Sequence, residues 1–210
     1  MENKKKYLEV DRFFGPTVGT FQMPTNLINE INNYVNEVIK DEKKSAELDR
    51  GSSLAGQVKQ ELRIEASFLN KGLGKTIHDA VMEYIKISTN KIITKFQFHS
   101  VWVVRQFENE YNPIHHHSGH ISGVCYLMVP DNLGGKSQAS KKSNPNGCIS
   151  LIHGSKHFLS PVQRLITPKV GQFTLFPNYL LHTVYPFKGP GERRSLSFNA
   201  SIDDEIVQKD

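Results

Sequence analysis

The stretch Gly171-Gln172-Phe173-Thr174-Leu175-Phe176-Pro177-Asn178-Tyr179-Leu180-Leu181-His182-Thr183-Val184 carries the pattern of two short strands joined by a turn. A glycine leads an apolar run that ends at Phe176-Pro177, and a lone histidine, His182, begins the next apolar run. Short runs rich in aromatic and β-branched residues, bounded by turn residues, are typical of strands. This stretch therefore predicts a β-rich C-terminal part, with His182 at the start of a strand.

Similar segments occur on both sides of this stretch, with turns rich in Pro, Asn and Gly between them. The predicted strands are Thr94–Phe107, Ile121–Val129, Cys148–His153, Gly171–Phe176, Thr183–Pro186 and Arg193–Ile202. The polar segment Pro130–Gly147 is long enough to be a functional or mobile loop, and it fits either a lid or a plain hairpin insertion.

The apolar period is helical in the N-terminal part. It predicts one helix from a Thr25 N-cap to about Lys40 and another from about Lys75 to Ile87, with a polar loop over Lys43–Gln57. Helices followed by many short strands indicate an α+β chain, mainly β, in which the helices flank a sandwich or barrel.

Length and composition favour a single globular domain. The chain has 210 residues, of which 38% are hydrophobic and 22% charged, and this excludes fibrous and wholly disordered classes. We expect one domain over residues 1–210, helical over about 1–92 and β over about 93–202. No apolar run approaches the roughly 18 residues that span a bilayer. The net charge of +5 is dispersed and has no nucleic-acid motif, so neither a membrane nor a nucleic-acid partner is indicated, and nothing signals an oligomeric state.

Both cysteines of the chain, Cys125 and Cys148, fall in apolar, strand-like segments. Two buried free thiols are the simplest interpretation. Free thiols favour a reducing compartment, which predicts the cytoplasm, or the host cytoplasm if the protein is viral.

The clearest local motif is Asn112-Pro113-Ile114-His115-His116-His117-Ser118-Gly119-His120. Residues two apart on a strand share a face, so His115 and His117 can both present imidazoles to one metal while His116 points away. Imidazole ligands suit iron, zinc, copper or nickel. The register within this run stays open, with His116 and His120 as alternative ligands, and a third ligand must come from elsewhere in the chain.

The strand that begins near Arg193 carries a second chemical signal. By alternation, one face holds Arg193, Ser195, Ser197 and Asn199, and the other holds Arg194, Leu196 and Phe198. An arginine on an inward face is costly unless it meets an anion, and a guanidinium beside a hydroxyl matches a carboxylate. The alternation favours Arg193 over Arg194 as the carboxylate-binding residue.

Taken in order, these motifs resemble the 2-oxoglutarate/Fe(II)-dependent oxygenase superfamily, and within it the small oxygenases of marine bacteria and phages. The matching pieces are His115-x-His117, Ser122–Leu127, Pro168–His182 and Arg193-x-Ser195 through Asn199. The resemblance covers roughly residues 94–202 and implies a double-stranded β-helix, or jelly roll, with N-terminal helices packed on one sheet. It also implies an oxidoreductase that uses Fe(II) and 2-oxoglutarate, hydroxylates a substrate and releases succinate and CO2.

The resemblance gives each matching residue a role. The metal ligands would be His115, His117 and His182. The residues around 2-oxoglutarate would be Arg193, Ser195, Tyr126, Asn112 and Asn199. The superfamily more often has a carboxylate at the position of His117, so this chain departs from the usual set of two histidines and one carboxylate. Tyr126 has a second interpretation, a core tyrosine whose hydroxyl is satisfied at the rim, and Trp102 is interpreted as a core residue.

Three other functions are compatible with the sequence. One is a cupin-type three-histidine metalloenzyme that works without 2-oxoglutarate, in which Arg193 would be a surface residue. The others are a non-enzymatic jelly-roll binding module and a structural protein with an incidental histidine cluster. The substrate stays open among a peptide residue, a small metabolite and a nucleobase.

Overall fold

The structure is a computed structural model that describes residues 8–11 and 15–208, so the remaining residues of the expected 1–210 domain lie outside it. Its strands are β1 (Leu8–Asp11), β2 (Val18–Gln22), β3 (Gln60–Arg63), β4 (Phe96–Gln106), β5 (Asn112–His115), β6 (Ile121–Met128), β7 (Ile149–Ile152), β8 (Gln163–Ile166), β9 (Gln172–Pro177), β10 (Leu181–Val184) and β11 (Arg193–Ile202). Its helices are α1 (Thr25–Lys40), α2 (Glu42–Leu48), α3 (Ala66–Phe68), α4 (Gly74–Thr89) and α5 (Asp204–Val207).

The described strands form two antiparallel sheets. The large sheet has seven strands in the order β1-β2-β9-β6-β11-β4-β3, and the small sheet has four in the order β5-β10-β7-β8. A hydrophobic cluster lies between the sheets; it consists of Val18, Val124, Tyr126, Ile149, Leu151, Phe176, Leu180 and Val184. The chain is a jelly roll with flanking helices, which confirms the predicted fold class.

The helices α1 and α4 cover the outer face of the large sheet. Ile31 and Val35 of α1 and Ile77 and Val81 of α4 are fully buried in one cluster with Phe198 of β11. Within each helix the spacing of four residues places the pair on one helical stripe, which is the face that a sheet can bury. The predicted packing of N-terminal helices on one sheet is therefore confirmed. No helix within the described ranges is long and apolar enough to cross a membrane.

A β-bulge in β4 interrupts the alternation of apolar residues within the predicted strand Thr94–Phe107. Ala200 pairs with Phe98, whereas Asn199 pairs with Ser100, so His99 is an extra residue on the β4 side. An extra residue reverses the alternation beyond it. As a result Phe98 and Val101 both face the helices.

The N-terminal part is less purely helical than expected. It also contributes three strands to the large sheet: β1 and β3 are its two edges, and β2 lies between β1 and β9. The predicted loop over Lys43–Gln57 is wrong in its first half, which forms α2; Asp41 caps this helix by accepting a hydrogen bond from the Lys44 backbone N–H at 3.0 Å. Thr25 is the first residue of α1 rather than its N-cap, a position that Pro24 takes.

The segment Pro130–Gly147 contains no helix or strand. Asparagine side chains hold its backbone: Asn144 Nδ2 donates to the Gly134 carbonyl at 2.7 Å, and Asn146 Nδ2 donates to the Leu133 carbonyl at 3.0 Å. The segment ends at Gly147, whose backbone contacts the arginine of the candidate site. This loop is therefore joined to the cavity described next.

Candidate metal centre and carboxylate pocket

His115 and His182 are direct cross-strand partners on β5 and β10, with ring centroids 4.2 Å apart. His117 follows the end of β5, and its ring centroid lies 4.9 Å from each of the other two. Asn178 holds this turn, because its backbone carbonyl accepts from the His117 N–H and its side-chain amide donates to the His117 carbonyl, both at 3.0 Å. Three imidazoles from two neighbouring segments therefore converge on one point.

Backbone carbonyls orient two of these rings. His115 Nδ1 lies 2.8 Å from the Pro113 carbonyl oxygen, and His182 Nδ1 lies 2.9 Å from the Leu180 carbonyl oxygen. In each case the ring must donate its Nδ1–H, since a carbonyl oxygen only accepts. The Nε2 lone pair is then free to bind a metal, which is the usual outer support of a histidine ligand.

The three histidines are held in the neutral state. Burial, with a smaller contribution from the neighbouring histidines, lowers the pKa of His117 to about 4 and that of His182 to about 3. Burial also lowers the pKa of His115. Metal binding needs neutral imidazole, so no proton has to leave at neutral pH before an ion can bind.

The donor set fits a divalent metal ion. The three ligand atoms all lie within 4.8 Å of one another, and the Nε2 atoms of His117 and His182 are 3.1 Å apart. Two nitrogens bonded at right angles to one ion at roughly 2.1 Å are about 3 Å apart. Among residues 8–11 and 15–208 no carboxylate joins this group, so the departure noted at His117 persists in three dimensions.

The two alternative histidine ligands lie elsewhere. His116 is exposed. His120 Nδ1 accepts from the Ile202 backbone N–H at 3.1 Å, and its Nε2 lies 3.6 Å from a carboxylate oxygen of Asp204. His120 is thus engaged with the C-terminal segment, and neither residue is grouped with the three converging rings.

Arg193 is a buried cation in the same cavity, with 1% of its surface exposed. Its Nε donates to the Gly147 carbonyl at 3.1 Å and its Nη1 to Gln106 Oε1 at 3.0 Å. Its guanidinium carbon lies 4.8 Å from the centre of the Tyr126 ring. Within the described part of the chain Nη2 has no hydrogen-bond partner and no acid pairs with the guanidinium. Burial lowers the pKa of this guanidinium, as expected for a cation withdrawn from water.

Tyr126 supplies a second unpartnered polar atom beside Arg193. The side chain is fully buried, yet its hydroxyl has no hydrogen-bond partner among the described residues. Burial raises the pKa of the phenol, and the charge of Arg193 acts against that rise. Tyr126 therefore belongs to the core, but its hydroxyl is not satisfied at a rim. A buried O–H and a buried guanidinium N–H without acceptors fit a ligand with a carboxylate.

The other expected pocket residues divide into two groups. Ser195 and Asn112 line the cavity that also contains the histidines and Arg193. Asn199 is not among its lining residues; it accepts from the Ser122 hydroxyl at 2.8 Å and bridges β11 to β6 inside the large sheet. The structure therefore brings Ser195 and Asn112 to the histidines, whereas Asn199 lies among strand residues.

Four further residues contribute to the site. Trp102 was interpreted as core but lines the cavity, with its ring 5.7 Å from that of His117. Phe176 packs edge-on against His182 at 5.0 Å. Gln106 holds Arg193, and Ser197 also lines the cavity. The alternation of β11 predicts that Ser197 faces inward. Gln106 and Trp102 face inward only because of the bulge at His99, and no sequence pattern predicts this bulge.

Comparison with known proteins finds a family match in the β core. Residues 100–199 match the model of a protein family described as "Putative 2OG-Fe(II) oxygenase". This span contains the three converging histidines, Arg193 and the other expected pocket residues. A search of curated proteins finds no match to the chain.

Solved structures share the fold at low sequence identity. A Trichoplax adhaerens prolyl hydroxylase in complex with a hypoxia inducible factor peptide has a TM-score of 0.57 at 12% identity, covering 98% of this chain and 89% of that one. The Paramecium Bursaria Chlorella virus-1 collagen prolyl hydroxylase, in a 2OG complex, has a TM-score of 0.52 at 18% identity, covering 93% and 96%. HygX from Streptomyces hygroscopicus, with nickel and 2-oxoglutarate bound, has a TM-score of 0.56 at 10% identity, covering 88% and 82%.

These likenesses show the fold, and the family match covers the strands that carry the site. The predicted resemblance is confirmed on both counts. Residues 100–199 of the β core thus match the 2OG-Fe(II) oxygenase family, and this match indicates an oxidoreductase.

Proposed function

We propose that the protein is an Fe(II)- and 2-oxoglutarate-dependent dioxygenase that hydroxylates its substrate and releases succinate and CO2. His115, His117 and His182 would hold the iron. Arg193 and the Tyr126 hydroxyl would bind the far carboxylate of 2-oxoglutarate, with Ser195 and Asn112 beside it. The free thiols of Cys125 and Cys148 support a reducing compartment, and we place the protein in the cytoplasm.

One observation carries this proposal: a buried arginine has an unpartnered N–H in the cavity that also contains three neutral histidines. Leaving a buried charge without a counter-ion is costly, so its retention supports an anionic ligand. A cupin-type metalloenzyme without a keto acid has no use for such a group. Arg193 would be a surface residue there, whereas here it is buried.

When bound, iron and 2-oxoglutarate supply the oxidising chemistry, in which O2 is consumed, 2-oxoglutarate becomes succinate and CO2, and one oxygen atom enters a substrate C–H bond. The residues of the chain orient the groups that would bind the metal and 2-oxoglutarate, and they exclude water. Carbonyls of Pro113 and Leu180 fix the Nε2 atoms of two ligands, and Gln106 holds the guanidinium of Arg193. Phe176 and Trp102 give the metal site an apolar wall.

The test is an anaerobic titration of purified protein with Fe(II) and then with 2-oxoglutarate, followed by visible absorption. We expect a weak charge-transfer band when the keto acid chelates the metal, and succinate formation once oxygen is admitted. Absence of both the band and 2-oxoglutarate-dependent succinate would contradict the proposal.

Two variants separate the roles of the two ends of the cavity. His182→Ala should lose metal affinity, measured directly with Co(II) or Ni(II). Arg193→Ala should keep metal affinity and lose affinity for 2-oxoglutarate. If the wild type bound metal through His182 but did not bind 2-oxoglutarate, the cupin-type alternative would be favoured. If Arg193→Ala bound 2-oxoglutarate as well as the wild type, the role given to Arg193 would be wrong.

A further inference from the structure

Glu61 is a buried carboxyl group that the proposed chemistry does not use. It lies on the edge strand β3 with 2% of its surface exposed. Its Oε2 atom has no hydrogen-bond partner among the described residues. A buried acid without a partner is rare and calls for a ligand or a functional reason.

Strand register places Glu61 on the face of the large sheet that lines the candidate site. Glu61 is the direct partner of Val104, and Val104 is the partner of Ser195, so the three side chains share one face. Val104 and Ser195 both line the cavity. The neighbouring Leu62 points the other way into the helix-side core, which is consistent with this orientation.

The carboxyl group of Glu61 is enclosed between β3 and the segment that precedes it, around Gly56. Gly56 has so little room above it that a Cβ there would lie 3.0 Å from Glu61 Oε1. The next residue, Gln57, is bridged to Tyr111, whose successor Asn112 lines the cavity. Glu61 is thus a neighbour of cavity-lining Val104 and lies close to the segment that leads to Asn112, although it does not itself line the cavity.

The electrostatic surroundings of Glu61 favour a cationic ligand. No Lys or Arg of the described residues forms an ion pair with it, and the closest charged influence is the carboxylate of Asp49. Burial, and then the charge of Asp49, raise the pKa of Glu61 to about 7. A positive group that reached this carboxyl would bind its charged form and relieve both effects. The neighbouring inward position on β3 is Arg63, whose side chain is exposed and forms no ion pair with Glu61.

Trp102 lies diagonally across from Glu61 on the same face. It pairs with Arg63, lines the cavity and has its ring 5.7 Å from that of His117. Its indole N–H has no acceptor among the described residues. Tryptophan is the aromatic ring that interacts best with organic cations, and a carboxylate with an indole is a suitable pair for an ammonium or guanidinium group.

We propose that Glu61, with Trp102, binds an organic cation of the substrate, an ammonium or guanidinium group, at the β3 edge of the cavity. This inference rests on the proposed function and deepens it, because it names the substrate class. Substrates of this kind include a lysine or arginine residue in a peptide and a free polyamine. The shared feature is the cation.

Titration calorimetry of the metal-free full chain at pH 8 tests the proposal without depending on turnover. The probes are L-lysine, L-arginine, N-acetyl-lysine amide and spermidine, compared with the neutral L-norleucine and L-citrulline. We expect at least one cation to bind about tenfold or more tightly than the neutral compounds. Preference for the blocked lysine would indicate a peptide substrate, and preference for spermidine a polyamine.

Variants tie this preference to Glu61. Glu61→Gln keeps the shape of the side chain and should lower affinity for the preferred cation about tenfold. Gly56→Ala, which crowds the carboxyl, should also weaken it. Glu30→Gln removes an exposed acid from α1 and should leave binding unchanged. Equal binding of cations and neutral compounds, absence of cation binding, or an unaltered Glu61→Gln would overturn the proposal.

The same preparations distinguish this inference from the proposed function. If 2-oxoglutarate binds in an Arg193-dependent way but no cation binds through Glu61, only the substrate assignment fails. If cations bind through Glu61 and 2-oxoglutarate does not bind, only the dioxygenase proposal fails. Near-UV circular dichroism of Glu61→Gln checks that its fold is intact.

Discussion

Arg193 interacts with its surroundings through a planar fork of donors. Two of its nitrogens are already committed to Gly147 and Gln106, and only Nη2 points to a free position. A lysine at this position would keep the charge but could not maintain the two protein contacts and also reach a ligand. The geometry of the guanidinium, as well as its charge, therefore matters for binding.

We expect Arg193→Lys to bind 2-oxoglutarate about ten- to a hundredfold more weakly than the wild type, because one or two charge-assisted hydrogen bonds are lost. Metal affinity should not change. The measurement is titration of the metal-loaded protein with 2-oxoglutarate. Arg194→Lys is the matched control, since Arg194 points outward to Asn32, Asn36 and Glu192. If both variants lost affinity equally, Arg193 would not be the specific contact.

For Glu61 we predict that stability and cation binding respond to pH in opposite directions, because the ionised form that would bind a cation destabilises the folded protein. Its pKa is raised from 4.5 to about 7 in the folded protein, so between these values the native state holds the proton more tightly than the unfolded chain. Stability therefore falls as pH rises through this window and is lower above it. Glu61→Gln should be more stable than the wild type at pH 8, by about 1–2 kcal/mol, and should lose this advantage by pH 4.5. Urea unfolding at the two pH values measures the difference; an advantage that did not depend on pH would contradict the burial of an ionised Glu61.

At the scale of elements, β6 depends on a glycine where it crosses beneath the helix-side core. A Cβ at Gly123 would lie 2.6 Å from Phe198 Cε1 and 2.9 Å from both Leu175 Cδ2 and Phe173 Cε2. Real Cβ atoms essentially never lie so close to other heavy atoms, so the side chains of Phe198, Leu175 and Phe173 would have to shift within a densely packed core.

We expect Gly123→Ala to lower the free energy of unfolding by about 1–3 kcal/mol, as over-packing of a dense core does. Gly135→Ala is the control, because a Cβ at that position would meet nothing within 4 Å. Thermal unfolding of the two variants measures the contrast. Equal midpoints would show that the core around Phe198 is more adaptable than its contacts indicate.

The elements differ in how well sequence predicted them. Helices α1 and α4 and most strands of the β core have strong apolar periods, so they were predicted to within a few residues. The strands β1, β2 and β3 are short, and their pairing with β9 and β4 comes from distant parts of the chain. The helix α2 has only seven residues and one buried side chain, Leu48, so its period was too short to detect.

The candidate site shows the same division. His182 and Arg193 were predicted because each sits in a strand with a clear pattern, and the alternation correctly placed Arg193 and Arg194 on opposite faces. The contribution of Gln106 and Trp102 depends on the bulge at His99, which is a feature of the pairing between β4 and β11. Glu61 reaches the inner face only because β3 joins the sheet edge. Long-range pairing of this kind is not encoded in any local period.

At the scale of the whole molecule, the two sheets bring together groups that are far apart in sequence. The small sheet carries His115 and His182 on adjacent strands, and the large sheet carries Arg193 on β11. Helices α1 and α4 cover the outer face of the large sheet and leave its inner face for polar residues. A cation and three neutral imidazoles can therefore face one cavity in an otherwise apolar interior.

The central claim is that these groups form one site for a metal ion and 2-oxoglutarate. Its most direct test is a crystal structure of the protein grown without oxygen in the presence of Mn(II) and 2-oxoglutarate. We predict a metal ion bonded to the Nε2 atoms of His115, His117 and His182, with the far carboxylate of 2-oxoglutarate within hydrogen-bond distance of Arg193 Nη2 and Tyr126 Oη. A metal bound by His116 or His120, or a keto acid with no contact to Arg193, would contradict it.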